Sequence, residues 1–238
     1  MKTLALILLS APASIPASAQ TFSLPQGCEA YATAQLRSCE VQHFFTCDND
    51  AEGLQRSVAF KEEGMTYSGI IDAETQWVQS WHLTAGINEQ LMDGAADPAS
   101  LTELLDTGVD TYDFRTDSAE TGMTRFIGQD RLTGRTVTIS GVTLDETEYT
   151  MRVLSAEGAE MWRTAGNEFV SRDWRRFLPG TGVTQADDTS FEADDTPVEF
   201  IFPGQPGFLS VNPKHGCGAV MSKAPIRPQE KETLHDHL

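Results

Sequence analysis

Residues 171–177 read SRDWRRF and place Arg172, Arg175 and Arg176 beside Trp174 and Phe177 in a chain where acids outnumber bases 35 to 17. A guanidinium fork matches two oxygens of a carboxylate or phosphate, and a neighbouring indole adds apolar contact area, so this composition suits a protein interface or an anion site. Arg172, Trp174, Arg175 and Arg176 are therefore the candidate ligand- or partner-binding residues. The simpler alternative is that these arginines pair with the surplus acids, Asp173 or Glu168 among them, with no further role.

Other chemistries lack their parts. Nucleophilic hydrolysis needs an activated Ser or Cys with a His base, and neither G-x-S-x-G nor S-x-x-K occurs. His43 and His82 fall in expected strands, where a satisfied or solvent-facing histidine is the default. His82 adjoins Trp81, so an inward indole sends the imidazole outward. Zinc spacing such as H-E-x-x-H is absent. His235 and His237 stand in a C-terminal tail, and His215 competes with a disulfide for Cys217. No glycine-rich phosphate loop appears, so no cofactor, metal site or catalytic residue is assigned. A carboxylate-dependent hydrolase needs only two acids across a cleft, a condition that 35 acidic residues make uninformative.

The four cysteines, Cys28, Cys39, Cys47 and Cys217, read as two disulfides of an exported protein. Residues 29–38 (EAYATAQLRS) resemble a helix and residues 40–46 (EVQHFFT) a strand. A continuous helix would put Cys28 and Cys39 ~16 Å apart, and a continuous strand would put Cys39 and Cys47 ~26 Å apart. Bridged Cα atoms come within about 7 Å. The expected pairs are Cys28–Cys47 and Cys39–Cys217.

Export follows from residues 1–20, MKTLALILLSAPASIPASAQ, with Lys2 at the start, an apolar run over 4–9 and the small-residue site Ala17-Ser18-Ala19. The run is too short to span a bilayer, which takes ~20 residues, so the protein is expected in the periplasm or secreted. Lys2 is the only charged residue of this segment, and its loss moves the formal charge from −18 to −19. A balance so acidic argues against nucleic acid and anionic membrane surfaces, which both require a basic face.

Positioning falls to β-strands. Residues 147–154 (TEYTMRVL) alternate, with Tyr149, Met151 and Val153 on one face, and residues 135–140 repeat the pattern. Such period-two alternation marks half-buried strands. Further strands are expected at 54–61, 65–72, 76–84, 111–116, 123–129, 159–164, 168–172 and 198–202, separated by turns such as Thr133-Gly134 and Gly166-Asn167. Asp97 can cap a helix over about 98–107 that Gly108 stops, an amphipathic piece expected to cover the sheet. Pro179-Gly180 is expected to end the meander, followed by an acidic loop at 185–197 and a disordered tail at 222–238. The expectation is a single mainly β domain over 21–221. It is an antiparallel up-and-down meander, strongly curled or barrel-like, with an N-terminal helix and a short covering helix.

In architecture alone this plan resembles the lipoprotein- and lipid-handling clam proteins of the bacterial envelope, and no functional position is carried over. Tyr67, Trp77, Trp81, Phe114, Phe126, Tyr149 and Trp162 fall on expected strands and could line or fill such a sheet. The expected function is an exported binding protein holding an apolar or amphiphilic small molecule. The alternative is a module that joins an envelope protein through the Arg/Trp patch. A non-reducing peptide map of the exported protein should yield Cys28–Cys47 and Cys39–Cys217 peptides, and a Cys28–Cys39 peptide would refute the pairing.

Overall fold

Short connections force strands adjacent in sequence to pair antiparallel. In the computed structural model, which describes residues 20–218, they build one antiparallel sheet. The first strands are β1 (Cys28–Leu36), β2 (Glu40–Cys47), β3 (Gln55–Lys61), β4 (Gly64–Ile71), β5 (Trp77–His82) and β6 (Ile87–Leu91). A helix, α1 (Leu101–Thr107), intervenes before β7 (Val109–Asp117), β8 (Thr124–Ile139), β9 (Val142–Leu154) and β10 (Glu160–Ser171). The last strands are β11 (Arg176–Ala186), β12 (Thr189–Asp194) and β13 (Pro197–Ile201). The expected leader, apart from Gln20, and the expected tail at 222–238 lie outside the described residues. Among the described residues no helix is long and apolar enough to cross a membrane.

The thirteen strands follow sequence order from β12 back to β1, and β13 then joins the far side of β1. No ladder connects β12 to β13, so the sheet is open, which corrects the expected strong curl or barrel-like closure. Its two edges are nonetheless consecutive in the chain, parted by Asp195 and Thr196. Asp195 N–H donates to Gly180 O at 2.8 Å, and Arg37 N–H donates to Thr196 O at 3.1 Å. One chain segment thus serves β11 on one side and β1 on the other.

The expected N-terminal helix is strand β1. Ala32, Ala34 and Leu36 join a core with Phe44, Leu144, Phe169, Leu178 and Phe200. Thr33 and Gln35 are covered by the chain near residues 209–214: Thr33 Oγ1 accepts from Leu209 N–H, and Gln35 Oε1 from Lys214 N–H. With both faces buried, the alternation that marks a half-wet strand disappears, and the alanines then mimic a helix. Both expected disulfides form, Cys28–Cys47 and Cys39–Cys217. The first is a cross-strand bridge of the β1–β2 hairpin, where the two cysteines stand directly opposite.

Three expected breaks lie inside strands. Thr133-Gly134 forms a bulge in β8, where the register skips between Leu132 and Thr136. Pro179-Gly180 lies within β11, two residues set against the single Glu168 of β10. A bulge tolerates proline because the extra residue owes no ladder hydrogen bond. Gly166-Asn167 continues β10, and the expected acidic loop at 185–197 contains β12 paired to β11. Here glycine signals close approach rather than a turn, since a Cβ on Gly166 would lie 2.0 Å from Thr181 O. The covering helix starts three residues later than expected. Ser100 is its cap, accepting from Glu103 N–H, while Gly108 ends it in the left-handed region at φ 86°. Gly166→Ala should destabilise by about 1–3 kcal/mol through overpacking against backbone, beyond the few tenths usual at a surface site, as measured by urea denaturation.

Candidate functional site

Strand alternation brings side chains from β2–β5 and β7–β11 to a common cavity of about 200 Å³. Tyr67 and Trp77 also border an outer recess of about 460 Å³, which continues past Phe126, Val153 and Trp162. Along β7 the buried residues Asp110, Tyr112, Phe114 and Thr116 recur with period two. Cross-strand pairing sets Asp110 opposite Asp130 and Phe114 opposite Phe126. Asp110 lies two residues past the Gly108 cap of α1, whereas Thr124 and Phe126 border the recess. The cavity lining is therefore ionisable near the helix, while the recess is mostly apolar with His82 and Glu89 among its walls. Of the seven aromatic residues singled out in the sequence, all but Trp81 border one or both spaces.

The helix is held at that end by a convergent acid. Glu74 accepts from Ser100 Oγ at 2.9 Å, Thr102 N–H at 2.8 Å and Thr102 Oγ1 at 2.6 Å, and pairs with Arg175 Nη2 at 2.8 Å. Burial alone would raise its carboxyl, but these donors and the guanidinium charge hold it below the usual range. Leu101 and Leu104 pack with Val170, Leu132 and Phe177, giving the helix the covering position expected for it.

Three carboxyls in the cavity hold protons unusually well. Burial, then the charges of Glu103, Asp97 and Glu74, pushes Asp110 up to about 6, against the lowering effect of the Ser100 N–H it accepts. Asp130 is raised to about 7 by burial and by Asp110. Glu168, opposite the Pro179-Gly180 bulge, is raised to about 8 by burial and by Asp130. It borders the cavity and so keeps some accessible surface. A carboxylate leaving water without a cation beside it prefers its proton, which is the direction seen in all three.

The four candidate residues of 171–177 go to separate environments. Arg172 is exposed and pairs with Asp145 at 2.5 Å. Arg175, at φ 47°, reaches Glu74 and donates to Ala73 O at 3.1 Å. Trp174 is half-buried, its ring 5.8 Å from Tyr31 and edge-on to Phe200 at 5.1 Å. Arg176 alone of the four borders the cavity. It is 4% exposed, its guanidinium lies 4.4 Å above the Phe44 ring, and its Nε has no partner among the described residues. Its charge favours the phenolates of Tyr31 and Tyr67, although burial keeps both phenols above their ordinary range.

Of the remaining candidates, His82 is exposed at the recess and 3.2 Å from Glu89. His43 is buried, with Nδ1 3.0 Å from Thr33 Oγ1, and desolvation lowers it to about 4. Cys217 is consumed by its disulfide. Sequence reasoning missed Asp110, Asp130 and Glu168. The usable signal was an acid in phase with apolar residues, as in Asp110-x-Tyr112-x-Phe114.

No protein-family model, no curated protein and no solved structure matches this chain.

The carboxyls bind protons in the folded chain at pH values where the unfolded chain has released them, so unfolding releases protons and stability falls as pH rises through their folded values. His43 works in the opposite sense, but only between about 4 and 6.5. The melting temperature should fall from pH ~6.5 to ~8.5, and Asp130→Asn with Glu168→Gln should flatten the slope. Thermal scans across that range check it.

Proposed function

We propose that this is an exported binding protein that holds an amphiphilic small molecule in the cavity, polar end inward beside Arg176 and apolar end in the recess. The observation that carries this reading is a cavity lined by Arg176 and three carboxyls that shares Tyr67 and Trp77 with a mostly apolar recess. A buried guanidinium with a free Nε is costly unless an acceptor reaches it, and an anionic head group supplies one. At the other end, Trp77 and Met161 are 40% and 45% exposed, an arrangement that suits an apolar tail entering from water. Two disulfides agree with an oxidising compartment outside the cytosol.

Within this reading Arg176 is the ligand contact. Trp174 supports the aromatic wall behind it through Phe44, at 6.4 Å between rings. Gln55 braces the same turn by donating to Trp174 O at 2.8 Å and accepting from Tyr31 Oη at 2.6 Å. Arg172 and Arg175 are engaged by acids of the same chain, which leaves the envelope-partner alternative with less support. A dansyl-labelled fatty acid should brighten on binding the wild-type protein. Arg176→Met should weaken that binding by roughly tenfold or more with the melting temperature nearly kept, because the buried charge removed has no acid partner. Arg172→Ser should leave binding unchanged. Absence of probe binding by the wild type would sink the proposal.

A further inference from the structure

We propose that the polar end of the ligand is zwitterionic, with a protonated amine seated among Asp110, Asp130 and Glu168 and an anionic group at Arg176. This rests on the amphiphile-binding reading and adds to it the chemistry of the head group.

The acidic pole is distinct from the arginine. Arg176 acts electrostatically on Tyr31 and Tyr67, whereas only acidic residues act on Asp130 and Glu168. None of the three carboxyls has an ion-pair partner among the described residues, whereas the half-buried acids Asp113 and Glu146 pair with Arg125 and Arg135. Asp110 and Asp130 are 3% and 8% exposed and stand directly opposite on β7 and β8. Like charges in that position repel, so packing alone gives no reason for the pair. Asp110 Oδ1 is buried without a partner, while Oδ2 accepts from Ser100 N–H at 3.0 Å. Once their protons leave, these carboxylates only accept, which is complementary to an ammonium, whose N–H groups all donate.

The remaining walls agree. Tyr112 and Tyr149 border the same space, and aromatic faces attract cations. A bare metal ion fits less well. The one described group of carboxylate, thiol or imidazole ligands that converges within 4.8 Å is Cys39, Glu62 and Cys217, where the disulfide already engages both sulfurs. The bulge at Pro179-Gly180, set against Glu168, is the kind of irregularity that re-aims a side chain at a site.

Seating a cation there lowers the proton affinity of the carboxyls, so binding an amine at neutral pH releases protons to solvent. A carboxylate ligand alone does not. The test is calorimetric titration of the full exported chain with dodecanoate, dodecylamine and N-dodecylglycine, repeated in buffers of differing ionisation enthalpy. N-dodecylglycine should bind roughly tenfold tighter than dodecanoate and release protons. The Asp130→Asn, Glu168→Gln double variant should lose that advantage, binding N-dodecylglycine no tighter than dodecanoate. If dodecanoate binds as tightly as N-dodecylglycine, or no protons leave wild type with the amine, the zwitterion inference fails and the amphiphile reading stands. If none of the three binds, both fail. Proton release is read on the wild-type protein, so the test does not depend on the variants folding.

Discussion

An antiparallel meander leaves two edges of unpaired N–H and C=O groups, and in this chain residues 189–201 supply both edge strands. β12 takes up the open side of β11, β13 takes up the open side of β1, and two residues pass between them. Backbone bonds from Asp195 to Gly180 and from Arg37 to Thr196 carry the pairing across the break. The Arg37–Asp194 ion pair adds little at its exposure, but it sits at the same junction. Because the first strand is anchored this way, Ala32, Ala34 and Leu36 can meet Leu144, Phe169 and Leu178 from the other half of the meander. The cavity is lined from both halves, by Phe44 and Tyr67 of the first and Tyr112, Tyr149 and Arg176 of the second.

What the cavity contains is costly by the usual rules of packing. Three carboxyls, a guanidinium and several phenols occupy space that aliphatic side chains could have filled at lower desolvation cost. The surrounding structure tolerates this through irregularities placed where they are needed. A proline-glycine bulge faces Glu168. The helix cap donates to Asp110, and Glu74 ties that helix to Arg175. At Glu168 a departure from regular strand geometry and a buried polar group therefore coincide, as they commonly do at sites of recognition.

The parts of this architecture visible in the sequence were those with one wet face. Residues 147–154 read as a strand because Tyr149, Met151 and Val153 alternate with Glu148, Thr150 and Arg152. Gly108 read as a helix stop because only the left-handed region fits there. β1 was hidden by being buried on both sides. The interruptions in β8, β10 and β11 were misread because glycine and proline mark bulges and close approaches as well as turns. The disulfide pairing came out right from a wrong premise, since a strand hairpin, not a helix folded on a strand, brings Cys28 to Cys47. Among the site residues, Arg176 was accessible from its unusual composition. The acids were not, because their importance lies in which of 35 carboxylates lost their water, a property of the fold alone.

The pairing of β1 with β13 also dictates an order of events during biogenesis. A chain is made amino end first, so β1 is present while its second neighbour, and Cys217, 178 residues beyond Cys39, have yet to arrive. Until then β1 shows a bare edge, the feature that recruits stray strands and seeds misassembly. The early Cys28–Cys47 bridge can fasten the first hairpin at once. The long-range bridge has to wait for the last strand and then locks in a topology rich in distant contacts, the kind that folds slowly.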